Sequence, residues 1–308
     1  MRGAWCVKKY ATGKFTGSVI LTHHAPRTTE KAMDFYNPIL IKEMRTRMRG
    51  KRAFLVLTGY VVTLSLILGL IFLVLTKNAP SSVVNQSGRV LTPVLVYVQM
   101  SLICLIAPTF SASAISSERE QQTFDLLIAS LARPTTIVFG KVGAALSYLL
   151  LTLFGSLPLI ALTYSFGGVD LGDVAKAYLV MLMAGVTFCS LSFFWSTLIR
   201  RGVLAQLTSL ITVIFLVAAM PALALFFSAL AGSFSGGPSK TFLNMVDLLM
   251  RTNPFAAIAS LIPGVPPIPG AWLGDVPIWI CQVLFYLLLT TLSLFFSYRR
   301  LRRVRNWI

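Results

Sequence analysis

Apolar residues fall in six long runs separated by short polar islands. About 20 predominantly apolar residues in helical form cross a bilayer. Six stretches reach that length: Ala53–Thr76, Val90–Ile115, a third within Val142–Val169, Ala177–Ile199, a fifth within Val203–Gly232, and Val276–Tyr298. None contains Asp, Glu, Lys, Arg or His. A charge at a span centre costs about 2.5–3.5 kcal/mol on insertion. The pattern therefore predicts an all-α integral membrane protein with six transmembrane helices.

Two of the polar islands carry patterns of their own. The first, Ser116–Lys141, reads SSEREQQTFDLLIASLARPTTIVFGK. Ser117 and Glu120 stand three apart, the spacing of a capping box. Phe124, Leu127, Ile128 and Leu131 follow at helical spacing, and Pro134 disfavours helical geometry at Arg133. The expectation is one capped amphipathic helix over Ser117–Leu131, wedged between the second and third spans. Its apolar stripe calls for a partner surface, and each stripe residue buried there contributes about 1.5–3 kcal/mol at most.

The second island, Asp34–Arg52, precedes the first span. From Asn37-Pro38 onward a helical wheel puts Leu40, Ile41, Met44 and Met48 in one arc, with Lys42, Arg45, Arg49 and Arg52 on the neighbouring face. That is the pattern of a helix lying in the membrane interface, basic side toward anionic headgroups. Glu118 and Glu120 fall on the same membrane side as Lys42, Arg45 and Arg49. Two readings stay open for the glutamates: a carboxylate–arginine tie between the islands, or simple capping and solvation of a helix end.

Between the fifth and sixth spans, residues 233–275 form a long, partly apolar, proline-rich segment. Phe242–Met250 and Phe255–Leu261 read as short helices joined by Asn253-Pro254, too short to cross and suited to a re-entrant or surface-lying pair. Residues 1–33 read as a basic mobile tail, and 299–308 as a basic C-terminal tail. Val19–Thr22 is too short for the apolar core of a signal peptide. Met33, directly before the first patterned segment, is a second candidate start of translation.

Composition agrees with the pattern. The chain has 308 residues, 56% hydrophobic and 12% charged, against about 25% charged in ordinary globular domains. A net charge of +17 on a soluble surface would point to nucleic acid. Here the charges cluster at the ends of apolar runs, so they read as orientation signals and nucleic acid is not an expected partner. One membrane side receives 22 of the 27 Lys and Arg residues. By the positive-inside rule both termini are cytoplasmic.

Candidate chemistry is sparse. Cys6, Cys104, Cys189 and Cys281 show neither metal-ligand nor disulfide-framework spacing, and the only histidines are His23 and His24. Asp170, Asp173, Asp247 and Asp275 read as solvated loop residues. Gly140-Lys141 lacks the glycine-rich spacing of a phosphate-binding loop. The neutral polar residues within spans, among them Gln99, Ser101, Ser111, Thr187, Ser190, Ser192 and Ser209, read mainly as interhelical hydrogen-bonding groups. A cavity lined by such groups with Phe193, Phe194 and Phe215 would suit an apolar or amphipathic cargo.

The sequence NPILIKEMRTRMRG, the six spans, and a loop reading ERE-x-x-TFDLLIAS-x-x-x-P-x-x-x-x-x-GK together resemble the permease subunits of type-2 ATP-binding-cassette transporters. The resemblance covers about Asp34 to Tyr298, and the loop between spans two and three is its most specific part. It implies a dimer of permease subunits in the cell membrane, each copy served by a separate cytoplasmic ATPase that binds ATP and Mg. This chain itself carries no cofactor and no catalytic motif. The resemblance further implies that a coupling helix bearing Glu118, Glu120, Thr123, Phe124, Leu127 and Ile128 docks on the ATPase. An interfacial helix with Asn37, Pro38, Lys42, Glu43, Arg45 and Arg49 would pack beside it, and the segment between spans five and six would cap the pathway. Export is the family's common behaviour. The alternative function is an ATP-independent channel or scaffold.

Overall fold

The computed structural model describes residues 38–48, 51–78, 87–124, 134–167, 169–232, 240–262 and 276–305. All regular structure among them is helical. A short helix α1 (Pro38–Met48) leads into the first span, α2 (Lys51–Asn78). The second span is α3 (Gly88–Ser111), followed by a one-turn helix α4 (Ser116–Glu120). Spans three and four are α5 (Pro134–Ser165) and α6 (Leu171–Leu198). Span five is α7 (Gly202–Ile214), a π turn over Phe215–Ala219, and α8 (Met220–Gly232). Two short helices, α9 (Lys240–Arg251) and α10 (Pro254–Ala259), precede span six, α11 (Ile278–Arg305). Six helices are long and apolar enough to cross a membrane, as the run pattern requires.

Several boundaries differ from the sequence expectation. Span three begins at Pro134, so the residues before Val142 belong to the helix and not to a loop. Proline fits a first helical turn because its missing N–H has no partner there in any case. Span four starts at Leu171, bringing Asp173 and Lys176 into its first turns, where they form an i,i+3 ion pair of 2.8 Å. The last span continues as helix through Arg305, carrying the C-terminal arginines with it.

Span four is the best covered of the six; its buried face includes Val180, Met181, Ala184, Phe188 and Cys189. Spans two, three and six pack around it, adding Leu95, Met100, Ile103, Leu149, Leu153 and Tyr286 to one apolar core. Neutral polar groups join the helices inside this core. Gln99 Nε2 donates to Ser156 Oγ at 2.7 Å, and Ser156 Oγ lies 2.8 Å from Tyr178 Oη. Ser111 Oγ donates to the Cys189 carbonyl, and Thr187 Oγ1 donates to the Tyr286 carbonyl and meets Thr290 Oγ1. Gln99, Ser111 and Thr187 thus bridge helices as expected. Ser101, Ser190, Ser192 and Ser209 instead hydrogen-bond to carbonyls of their own helices.

Spans one and five are the least covered. Phe54, Leu66 and Leu70 on α2, and Val203, Ile211 and Phe215 on span five, remain exposed on this chain alone. The three phenylalanines expected to share a cavity stand in different surroundings. Phe193 is fully buried, Phe194 meets Trp195 and Phe296 with its ring tilted to both, and Phe215 is 55% exposed.

Candidate functional site: a coupling joint at the basic end of the bundle

At one end of the bundle, α1, α4, the α6–α7 junction and the C-terminal turns of α11 come together. The centre of this end is Lys141, on the first turns of span three. Its side chain is 2% exposed, which for a lysine demands that every donor be met. Nζ donates to Glu118 Oε1 at 2.8 Å, to Glu43 Oε1 at 3.1 Å and to the Ala114 carbonyl at 2.8 Å. Three ammonium protons meet three acceptors. Lys141 therefore ties α1, the α3–α4 corner, α4 and span three at one point.

Among the described residues, the link between the two islands is made by Lys141. Glu118 does bridge the two polar islands, but through a lysine of span three and together with Glu43. Lys42 and Arg45 of α1 point outward and are exposed. Leu40 packs on span three, where a Cβ at Gly143 would lie 3.1 Å from Leu40 Cδ1. Part of the apolar face of α1 is thus spent on protein. Pro38 opens the helix as expected for a first-turn proline. Asn37 and Arg49 lie outside the described residues.

Helix α4 is built differently from the expected capping box. Its N-cap position is Ile115, which offers no capping side chain. The first N–H groups of a helix have no partner within it. Here span four supplies one: Ser196 Oγ accepts from Ile115 N at 2.9 Å and from Ser116 N at 3.1 Å. Ser117 Oγ turns back to the Ser113 carbonyl at 2.6 Å. Glu120, the other half of the expected box, reaches across to span five and accepts from Gly202 N at 2.9 Å. Gly202 admits this approach; a Cβ there would stand 3.2 Å from Glu120 Oε2.

The helix also stops sooner than expected. Thr123 N donates to the Glu118 carbonyl and Gln122 N to the Arg119 carbonyl, the paired bonds of a Schellman ending. Gln122 sits at φ 57° in the left-handed region, a position usually given to glycine. The single helix expected over Ser117–Leu131 is therefore broken at Gln121–Gln122. Gln121, Gln122 and Thr123 are exposed. Phe124 turns inward, where it joins Ala114, Ile115, Val138, Val142, Phe193 and Leu301 in a buried cluster, with the Arg119 guanidinium 4.6 Å from its ring centroid. Leu127 and Ile128 lie outside the described residues. Span six completes the joint: Arg300 Nε donates to the Thr197 carbonyl at the end of span four, satisfying one of that helix's last acceptors.

Short α4 and its flanks thus contact spans three, four, five and six through named bonds or buried apolar contacts, meet α1 through Lys141, and continue directly from span two. Among the described residues, this arrangement draws on both stretches that carry the sequence resemblance. The family described as ABC-2 family transporter protein matches residues 37–304. The chain belongs to that family. Among curated proteins none matches it. As an ABC-2 family member it is a multi-pass membrane permease component of an ABC transporter.

The opposite end of the permease carries α9 and α10 in the places expected for two short helices. Asn253 caps α10, with Oδ1 accepting from Phe255 N at 2.8 Å and Ala256 N at 3.4 Å, and Pro254 occupies the first helical position. Asp247, expected in solvent, is instead 2% exposed and paired with Arg251 at 2.7 Å. The i,i+4 spacing of this pair within α9 was visible in the sequence. Its burial depends on how α9 is laid against span six.

Proposed function

We propose that this permease works as one of two membrane subunits of an ATP-driven exporter in the cell membrane, with both termini in the cytoplasm. In this reading a separate ATPase, which binds ATP and Mg, docks on the exposed turn Gln121–Thr123 and the residues that follow it. The observation that carries the proposal is the Lys141 joint: a one-turn helix at the basic end, too short to stand alone, is bonded to elements reaching all the way through the bundle. A push on that turn is transmitted as rigid-body motion, because every contact behind it is buried or hydrogen-bonded. The excess of Lys and Arg at this end supports a cytoplasmic placement. The exposed apolar faces of spans one and five leave room for a second permease subunit beside lipid. Exposed Lys42 and Arg45 suit anionic headgroups.

Phe124 has a different part from the one its stripe first suggests. With its ring in the chain's own cluster, it braces the exposed turn from beneath, and the docking contact falls to Thr123, to its exposed neighbours and to Leu127 and Ile128. Glu118 and Glu120 hold the turn in place through Lys141 and Gly202.

The test is a photo-crosslinking amino acid placed at Thr123 in the native membrane, with a second at Leu171 as control, since Leu171 is exposed near the opposite end. The expected result is an adduct between position 123 and a nucleotide-binding polypeptide, absent from position 171. No such adduct, together with nucleotide-independent flux in liposomes, would establish the channel reading instead.

A further inference from the structure

The last turns of span six run beside the first turns of span three, and the two helices leave a groove of about 210 Å³ between them. Its lining is Thr135, Val138 and Phe139 of span three with Leu294, Phe295 and Tyr298 of span six. Phe139 is 64% and Phe295 47% exposed. On a membrane span such exposure is to lipid, so the groove opens toward acyl chains.

One end of the groove is cationic. Tyr298 closes the charge-free run of span six, at the level where aromatic rings with a polar tip collect. Arg299 follows, with its guanidinium 4.6 Å from the Phe295 ring centroid, which holds the cation over one wall of the groove. Arg302 stands one helical turn beyond Tyr298 on the same face and is exposed. Arg300, between them, turns away to the Thr197 carbonyl. Span three contributes the start of a 32-residue helix, whose dipole adds positive potential at the same level. Neither helix contains Asp or Glu, so no acid on these two elements answers the arginines.

An apolar trough below and guanidinium groups above match one molecule in two parts, an acyl chain and a phosphate. Guanidinium takes phosphate through paired N–H donors, and basic pockets at the cytoplasmic ends of spans suit anionic headgroups. A zwitterionic lipid would fill the trough equally well but would bring a cation of its own to the arginines. An acidic peptide would meet the arginines and leave the trough empty.

We propose that this groove is a binding site for one anionic phospholipid, its acyl chain against Phe139, Leu294 and Phe295 and its phosphate on Arg299 and Arg302. Val138 lines the groove and also belongs to the buried Phe124 cluster, so the lipid braces the coupling joint from the membrane side. Its assignment to the cytoplasmic leaflet rests on the proposed function; the site itself does not.

The test uses the full chain in phosphatidylcholine nanodiscs holding a small fraction of phosphatidylglycerol with a photoactivatable group in its acyl chain. Peptide-resolved mass spectrometry locates the adducts. Wild type is expected to concentrate them on residues 135–139 and 294–298, at least fivefold above the same probe built on phosphatidylcholine. Arg299→Gln with Arg302→Gln should erase that preference. Arg200→Gln with Arg201→Gln removes equal charge from exposed positions off the groove and should stay within twofold of wild type. Adducts spread evenly over the lipid-facing spans would mean annular lipid only and overturn the site. So would equal labelling by the two headgroups, or an equal loss in both arginine pairs, which would mean surface charge alone. Both leaflets of the nanodisc hold the probe and no ATPase is present. Failure of the transporter reading would show separately, as wild-type flux that ignores ATP.

Discussion

Among single residues, Lys141 carries the sharpest consequence. Its ammonium is shared between Glu43 and Glu118, and Glu118 Oε2 is itself buried without a second partner. Removing the cation takes the shared ammonium from two carboxylates that are each only 20% exposed. Breaking a buried pair by deleting one partner costs roughly 3–5 kcal/mol. Lys141→Met is therefore expected to lower the thermal midpoint of the purified permease strongly, as followed by tryptophan fluorescence in detergent. Neutralising the two acids in the same chain (Glu43→Gln with Glu118→Gln) should recover part of the loss. If Lys141→Met alone unfolded at the wild-type temperature, the joint would not have the central place given to it here. The sequence showed Lys141 only as half of a Gly-Lys pair with no phosphate-binding context. Nothing in local spacing links positions 43, 118 and 141; only the packing of α1 on span three does.

At the scale of the element, α4 shows how tertiary contacts override a local pattern. Ser117 and Glu120 have the spacing of a capping box, yet both side chains have other partners, and Ser196 of span four caps the helix from outside. Ser196→Ala would leave the Ile115 and Ser116 N–H groups buried and unpaired, at about 1–3 kcal/mol. The expected readout is faster amide exchange confined to residues 115–120, with the interior of span four unchanged; no local change would mean that the hydroxyl is dispensable. The break after Glu120 was equally hidden, since Gln122 takes the left-handed conformation without being glycine. Phe124 illustrates a different limit: periodicity identifies an apolar face but not what covers it. In contrast, the six spans, the Asn253-Pro254 junction and the two short helices around it were legible. Charge-free length and an Asn-Pro cap are local properties that no tertiary contact reverses. Asp247 and Arg251 were legible as residues of a short helix but not as a buried pair.

For the whole molecule, the two ends of the bundle are joined through span five, which is held at its first residue by Glu120 and at its centre by Asn253. A displacement of α4 reaches the π turn along a single helix, with few buried contacts on span five to absorb it. In the proposed coupling, the Glu120–Gly202 bond is the first link from the docking turn into span five. Glu120→Ala removes it, whereas Glu120→Gln keeps an oxygen that accepts from Gly202 N. A hydrogen bond to a charged group is worth about 1.5–3 kcal/mol, and 1.4 kcal/mol is about a tenfold change in an equilibrium. In proteoliposomes containing the partner ATPase, Glu120→Ala should retain ATP hydrolysis while transport per ATP falls about tenfold. Glu120→Gln should stay within a few-fold of wild type. The ratio of transport to hydrolysis separates this from a folding defect, which would lower both together. Equal ratios in Glu120→Ala and wild type would place the coupling elsewhere, with the Lys141 joint acting through span three alone.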